Sequence, residues 1–189
     1  MPSSSLRMSW SAFHTNARAA AFAAVLAGLA LALAGAGPAA AQDKPACEQF
    51  AWPVKREQVL FAAPDLKTVP SGTTLGTFDR GVALELQPNA TVPFVLPPAR
   101  QPKTADSYGG VIFFANLPKA GTYQVTASAE AWIDVIQNGK TAASTAHTGK
   151  RDCADIRKSV RFELEPGPVA VQVSGAAANS IKLAVLPAE

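Results

Sequence analysis

The chain has 189 residues, 48% of them hydrophobic, with 17 Lys+Arg against 14 Asp+Glu and only two Cys and two His. That length suits one domain with a short appendage, and so few histidines and cysteines leave little material for metal or nucleophilic chemistry. The formal basicity sits at one end. The first 41 residues hold Arg7 and Arg18 and no acid, so without them 15 basic residues face 14 acidic ones and the chain is nearly neutral.

Those 41 residues read as an export signal. A positively charged stretch over 1–18 is followed by an uninterrupted apolar run over 19–37, after which Pro38 breaks the helix and Ala39-Ala40-Ala41 supplies the small residues a signal peptidase requires. The expected cut follows Ala41, leaving Gln42 first in a mature chain of about 148 residues. A retained anchor is the alternative, because the run approaches membrane-spanning length. The Ala/Gly-rich run and the small residues after Pro38 favour cleavage, with no stable membrane insertion afterwards. No cysteine stands directly after the cut, as a lipid-modified N-terminus would need, and Arg7 and Arg18 are not a twin-Arg pair. A bacterial periplasmic or secreted location is expected.

The remaining chain divides into an N-terminal lead over 42–56 and a domain over 57–189. Cys47 lies in the lead and Cys153 far along the domain, and an even count in an exported chain predicts a disulfide between them. Closing a loop of about 100 residues is worth on the order of 4–5 kcal/mol in the chain-entropy treatment. No C-x-x-C is present to suggest redox catalysis or haem attachment.

Beyond the lead, short β-type runs alternate with Gly, Pro and Asn punctuation, and no 3.6-residue period of helical length occurs. Strands are predicted over 58–62, 72–79, 82–87, 91–96, 110–116, 121–130, 132–137, 159–165, 169–174 and 181–186. The last three alternate most clearly. Val160, Phe162 and Leu164 share a face opposite Arg161, Glu163 and Glu165, and the pattern repeats in Val169, Val171 and Val173 and in Ile181, Leu183 and Val185. Asn138-Gly139 and Pro166-Gly167-Pro168 supply turn chemistry. Val111-Ile112-Phe113-Phe114 is apolar on both faces, which predicts a strand covered on both sides or an exposed apolar patch. Segments 97–107 and 140–156 read as long polar loops. The expected fold is an all-β antiparallel sandwich, jelly-roll-like, in a single domain.

Several chemistries lack their parts. With His14 in the leader, His147 is the last histidine, and no G-x-S-x-G elbow offers it a serine nucleophile. One histidine does not build a jelly-roll metal site, so no metal or cofactor is expected, and His147 reads as a surface residue in a small polar loop. Gly139-Lys140-Thr141 resembles the end of a phosphate loop, but Asp134 stands where the first glycine belongs. The densest basic stretch, 150–161, is interleaved with Asp152 and Asp155, which gives no face for nucleic acid. The close carboxylate pairs, Asp152/Asp155 and Glu163/Glu165, read as solvated charge, so an enzyme working through carboxylates alone ranks third among the functional readings.

Gly121-Thr122-Tyr123-Gln124-Val125, Trp132-Ile133-Asp134-Val135-Ile136 and Asn138-Gly139-Lys140 together resemble the core of carbohydrate-binding β-sandwich modules, including the PA14-like group. There a G-x-Y strand leads to a strand ending in a D/N-G turn. The resemblance covers about 20 residues and implies the sandwich. It implies no calcium site, because Ser128-Ala129-Glu130 stands where that group carries an acidic pair. Sugar binding would require accessible aromatics, and Tyr108, Trp132 with its face-mate Asp134, and Trp52 are the candidates. Tyr108 borders the Pro-containing loop and is the favoured surface contact, whereas burial is the plainer reading of Trp132. The expected function is non-catalytic binding of a saccharide or an envelope protein. The alternative is an envelope assembly protein that forms an oligomer through the apolar residues around Val111.

Overall fold

Alternation with period two buries one face of a strand, and two such sheets must cover each other. In the computed structural model, which describes residues 45–189, this is what the alternating segments do. The expected leader and its cut after Ala41 lie outside the described residues. Helix α1 spans Lys55–Phe61. The first six strands are β1 (Lys67–Pro70), β2 (Thr74–Leu75), β3 (Gly81–Glu85), β4 (Gln87–Pro88), β5 (Tyr108–Leu117) and β6 (Gly121–Ala127). They are followed by β7 (Trp132–Gln137), β8 (Lys140–Thr141), β9 (Ser144–Gly149), β10 (Lys158–Leu164), β11 (Gly167–Ala176) and β12 (Ser180–Pro187).

One sheet has the order β1-β3-β12-β6-β10-β9, and the other β2-β5-β11-β7-β8 with β4 beside β5. Four of the antiparallel pairs are nested: β3 with β12, β5 with β11, β6 with β10 and β7 with β8. A long hairpin rolled across two sheets gives this connectivity, which is that of a jelly roll. Only the edge pairs β1–β3 and β2–β5 are parallel, so both sheets are mixed. The main core holds the inward residues of both sheets. Val160, Phe162 and Leu164 meet Val169, Val171 and Val173 there, with Ile181, Leu183 and Val185 beside them. Asn138 and Gly139, at φ 53° and 70°, form the tight turn between β7 and β8.

Both outer faces are covered as well. Residues 46–61 lie on the first sheet, where Phe50, Trp52, Val54 and Phe61 pack with Ile156 and Ala184. The predicted disulfide is present: Cys47 and Cys153 are bonded, with their Cα atoms 4.7 Å apart. On the second sheet Val92, Phe94 and Leu96 cover Val111, Phe113, Ile136 and Ala170. The run Val111-Ile112-Phe113-Phe114 therefore divides between two cores, with Ile112 and Phe114 pointing between the sheets and Val111 and Phe113 under the loop.

Four expected elements differ. The strand expected over 58–62 is the end of α1, because Glu57 and Phe61, four residues apart, turn one helical face to the sheet while Val59 is 62% exposed. Residues 91–96 pair with no strand. A 3-10 turn at Asn89–Thr91 leads into an extended segment whose alternate residues Val92, Phe94 and Leu96 pack flat on the second sheet. Of 72–79 only Thr74–Leu75 pairs. The loop expected over 140–156 contains β8 and β9, and β9 joins the sheet by backbone hydrogen bonding to β10 although four of its six side chains are exposed in succession.

Candidate functional site

The β6–β7 connection, the first residues of β7 and β10, the end of β9 and the loop after β4 converge at one end of the sandwich. Together they line a groove of about 550 Å³ whose chemistry comes from Arg100, Glu130, Trp132, His147, Arg157 and Lys158. A smaller cavity of about 140 Å³ adjoins it and shares Arg100, Glu130, Trp132 and Lys158, adding Lys103 and Ser174 to its wall. Trp132 and Ser174 are direct cross-strand partners on β7 and β11.

The buried carboxylate of Asp134, 4% exposed, fixes this geometry. Its Oδ1 accepts the indole N–H of Trp132 at 2.8 Å, and its Oδ2 accepts the backbone N–H of Ala99 at 3.1 Å. One side chain thus orients the indole and anchors the loop that carries Arg100. Gln172, opposite Asp134 on β11, donates from Nε2 to the Leu96 carbonyl at 2.9 Å and secures the same loop a few residues earlier. Where the loop returns to β5, Gly109 leaves no room for a side chain, since a Cβ there would stand 2.7 Å from Asn89 Oδ1. That Asn89 oxygen accepts the Gly175 N–H and ties the loop to β11.

The groove is cationic. The Arg100 guanidinium lies over the Trp132 ring, 5.5 Å from its centre, and the Lys158 ammonium lies over it at 5.1 Å. Arg157 is paired with Glu130. Arg100 and Lys158 have no carboxylate partner among the described residues, and Lys158 donates only to the Ala131 carbonyl, at 3.3 Å. Burial pushes the Lys158 amine below its ordinary value. The Glu130 carboxylate works against this, and the Arg157 and Arg100 charges add to it. The Ser174 hydroxyl, 2% exposed, makes no hydrogen bond to the protein.

Of the residues expected to bind, Trp132 and Asp134 come together, Trp132 half-buried at the cavity walls and Asp134 beneath it. Trp52 belongs to the cover of the first sheet. It is 9% exposed, donates its indole N–H to Ser159 Oγ at 3.1 Å and has the Arg161 guanidinium over its ring at 4.2 Å. Tyr108 is half-buried against the main core at the start of β5 and borders neither cavity. His147 is exposed on β9 and lines the groove. Arg100, Lys158 and Ser174 belong to no motif, and nothing in the sequence marks them. Among the described residues no cluster of His, Cys, Asp and Glu has the form of a metal site, and no helix is long and apolar enough to cross a membrane. No family model matches the chain, and no curated protein matches it.

Proposed function

We propose that this protein is an exported binding module that holds a saccharide or another envelope component at the Trp132 groove and catalyses no reaction on it. The observation that carries the reading is the placement of Trp132. It is half-buried in the walls of two adjoining cavities and is oriented by a carboxylate with both oxygens already engaged. A ligand site built on rigid strands with a buried supporting residue suits recognition. Because Asp134 already accepts two hydrogen bonds, its role here is positioning, which favours binding over acid–base chemistry. The Cys47–Cys153 bridge is compatible with periplasmic or secreted life.

The test uses the fluorescence of the two tryptophans beyond the leader, Trp52 and Trp132. Titration with saccharides is expected to change the emission of the native protein and leave that of Trp132→Phe unchanged. A response that survives in Trp132→Phe would place the ligand elsewhere.

Envelope assembly is the second reading and has its own observation. An apolar hollow of about 360 Å³ on the outer face of the second sheet is lined by Val95, Phe113, Ile136 and Ala170, and Val95 is 41% exposed. Sedimentation of the native protein and of Val95→Asp checks it. A concentration-dependent oligomer lost in the variant supports assembly.

A further inference from the structure

We propose that the ligand of the Trp132 groove is an acidic saccharide, its carboxylate or phosphate seated in the smaller cavity between Arg100, Lys158 and Ser174 and its sugar ring in the larger groove. This inference rests on the reading of that groove as the binding site and names the chemical class it selects.

Three independent features of the cavity support it. Arg100 and Lys158 both stand over one indole ring and neither forms a salt bridge with a carboxylate among the described residues, so two like charges share one wall. A cation taken partly out of water keeps its charge at a cost that a bound anion removes. The wall also carries the Ser174 hydroxyl, buried and without a hydrogen-bond partner, where a neutral donor would complete the coordination of an oxyanion. The volume of about 140 Å³ admits a carboxylate or phosphate group, and the adjoining groove of about 550 Å³ admits the sugar that bears it. Glu130, the carboxylate on the shared wall, is taken up by Arg157. A neutral sugar would find the Trp132 ring already overlain by two cations, whereas an acid-bearing sugar is attracted by the same two groups. The amine of Lys158, held below the ordinary lysine range by burial, is consistent with a charge waiting for a counter-ion.

Protein purified after expression of the full chain is first applied to an array of neutral, uronate-, sialate- and phosphate-bearing glycans. Signal confined to acid-bearing spots is expected. Titrations then compare 3′-sialyllactose with lactose, tri-galacturonate with its methyl ester, and inorganic phosphate alone. Arg100→Met and Lys158→Met should each weaken acidic-saccharide binding by about ten- to a hundredfold, and Ser174→Ala by about three- to tenfold. Lys158→Arg should restore most of the loss, and thermal melts confirm that each variant is folded. Equal binding of neutral and acidic partners would overturn the acidic class and leave the Trp132 site standing. An array without signal overturns the acidic saccharide and, with it, the saccharide reading of the Trp132 groove. Phosphate binding as tightly as the saccharides would show a bare anion site and overturn the sugar.

Discussion

The two outer faces of the sandwich are covered in different ways, and the difference separates structure from site. The first sheet is covered by residues 46–61, which a disulfide fastens at Cys153 and which close over a chain of polar side chains. Glu57 accepts from Gln124, Gln124 accepts from Arg161, Arg161 lies over Trp52, Trp52 donates to Ser159, and Ser159 bonds Thr126. A buried acid and a base are linked there through one amide, although Glu57 Oε2 and Arg161 Nε have no hydrogen-bond partner. The second sheet is covered by residues 92–107, held by Val92, Phe94 and Leu96 and by the hydrogen bonds of Gln172 and Asp134. That cover stops short of the sandwich end. Beside it two cations lack a carboxylate and a serine lacks a partner. Unpartnered atoms occur on both faces, since Glu57 Oε2 and Arg161 Nε lack hydrogen-bond partners as Ser174 Oγ does. Access separates support from site: Trp52 is 9% exposed under its cover, whereas half-buried Trp132 stands in the wall of an open groove.

The largest effect expected from this contrast is loss of the first cover. Replacing Cys47 and Cys153 with serine should lower unfolding stability by about 4–5 kcal/mol, the chain-entropy value for a loop of this length. Chemical denaturation checks the amount. Trp52 emission should redden before the global transition while Trp132 stays native-like, and simultaneous change of both would show that the two faces do not act separately.

Asp134→Ala comes next, at about 2–3 kcal/mol, because it removes two hydrogen bonds to a buried carboxylate. Its signature is local. Amide exchange should accelerate at 97–103 and not at 46–61. Protection unchanged in the loop would mean that its apolar contacts alone hold it.

The tryptophans sharpen the comparison further. Trp52→Phe should cost about 1–3 kcal/mol, since Ser159 loses the buried indole donor and keeps only Thr126. Trp132→Phe, at a half-open position, should cost well under half as much and act mainly on binding. Equal costs in denaturant melts would remove the distinction between support and site.

The smallest effect concerns Lys158, which meets Glu130, Asp134, Arg157, Arg100 and His147 around the groove. Its amine loses protons more readily in the folded chain than in the unfolded one, so the unfolded state binds more protons between the lowered value and the ordinary 10.5. Stability should therefore rise with pH in that window, and the cost of the buried charge is fully present below it. Lys158→Met should match or exceed the native protein at neutral pH and lose its relative advantage as pH approaches 10.5. A constant difference between native and Lys158→Met across that range would contradict the assignment.

Much of the framework was readable from side-chain type. The alternation in β10, β11 and β12 named the residues they turn between the sheets because successive side chains of a strand point to opposite faces, and Asn138-Gly139 marked its turn because that backbone needs positive φ. The two cysteines named their bridge, since a single pair leaves each cysteine one partner. Where residue type carried no period the reading failed. Val59-Leu60-Phe61 fits strand and helix alike, and only its position against the first sheet selected α1. The residues of β9, Ser-Thr-Ala-His-Thr-Gly, show no apolar pattern, and the strand exists because the β10 edge offers unpaired backbone groups. The site follows the same division. Trp132 and Asp134 are two apart on one strand, so alternation placed them together. Arg100, Lys158 and Ser174 come from separate segments, and Trp52 and Trp132 are chemically identical. The sequence determined the sandwich, its inward faces and its staple through local periodicity and composition. Which tryptophan is buried, and which cations lack a partner, depended on how two covering segments lie across two sheets, and only the tertiary structure decides that.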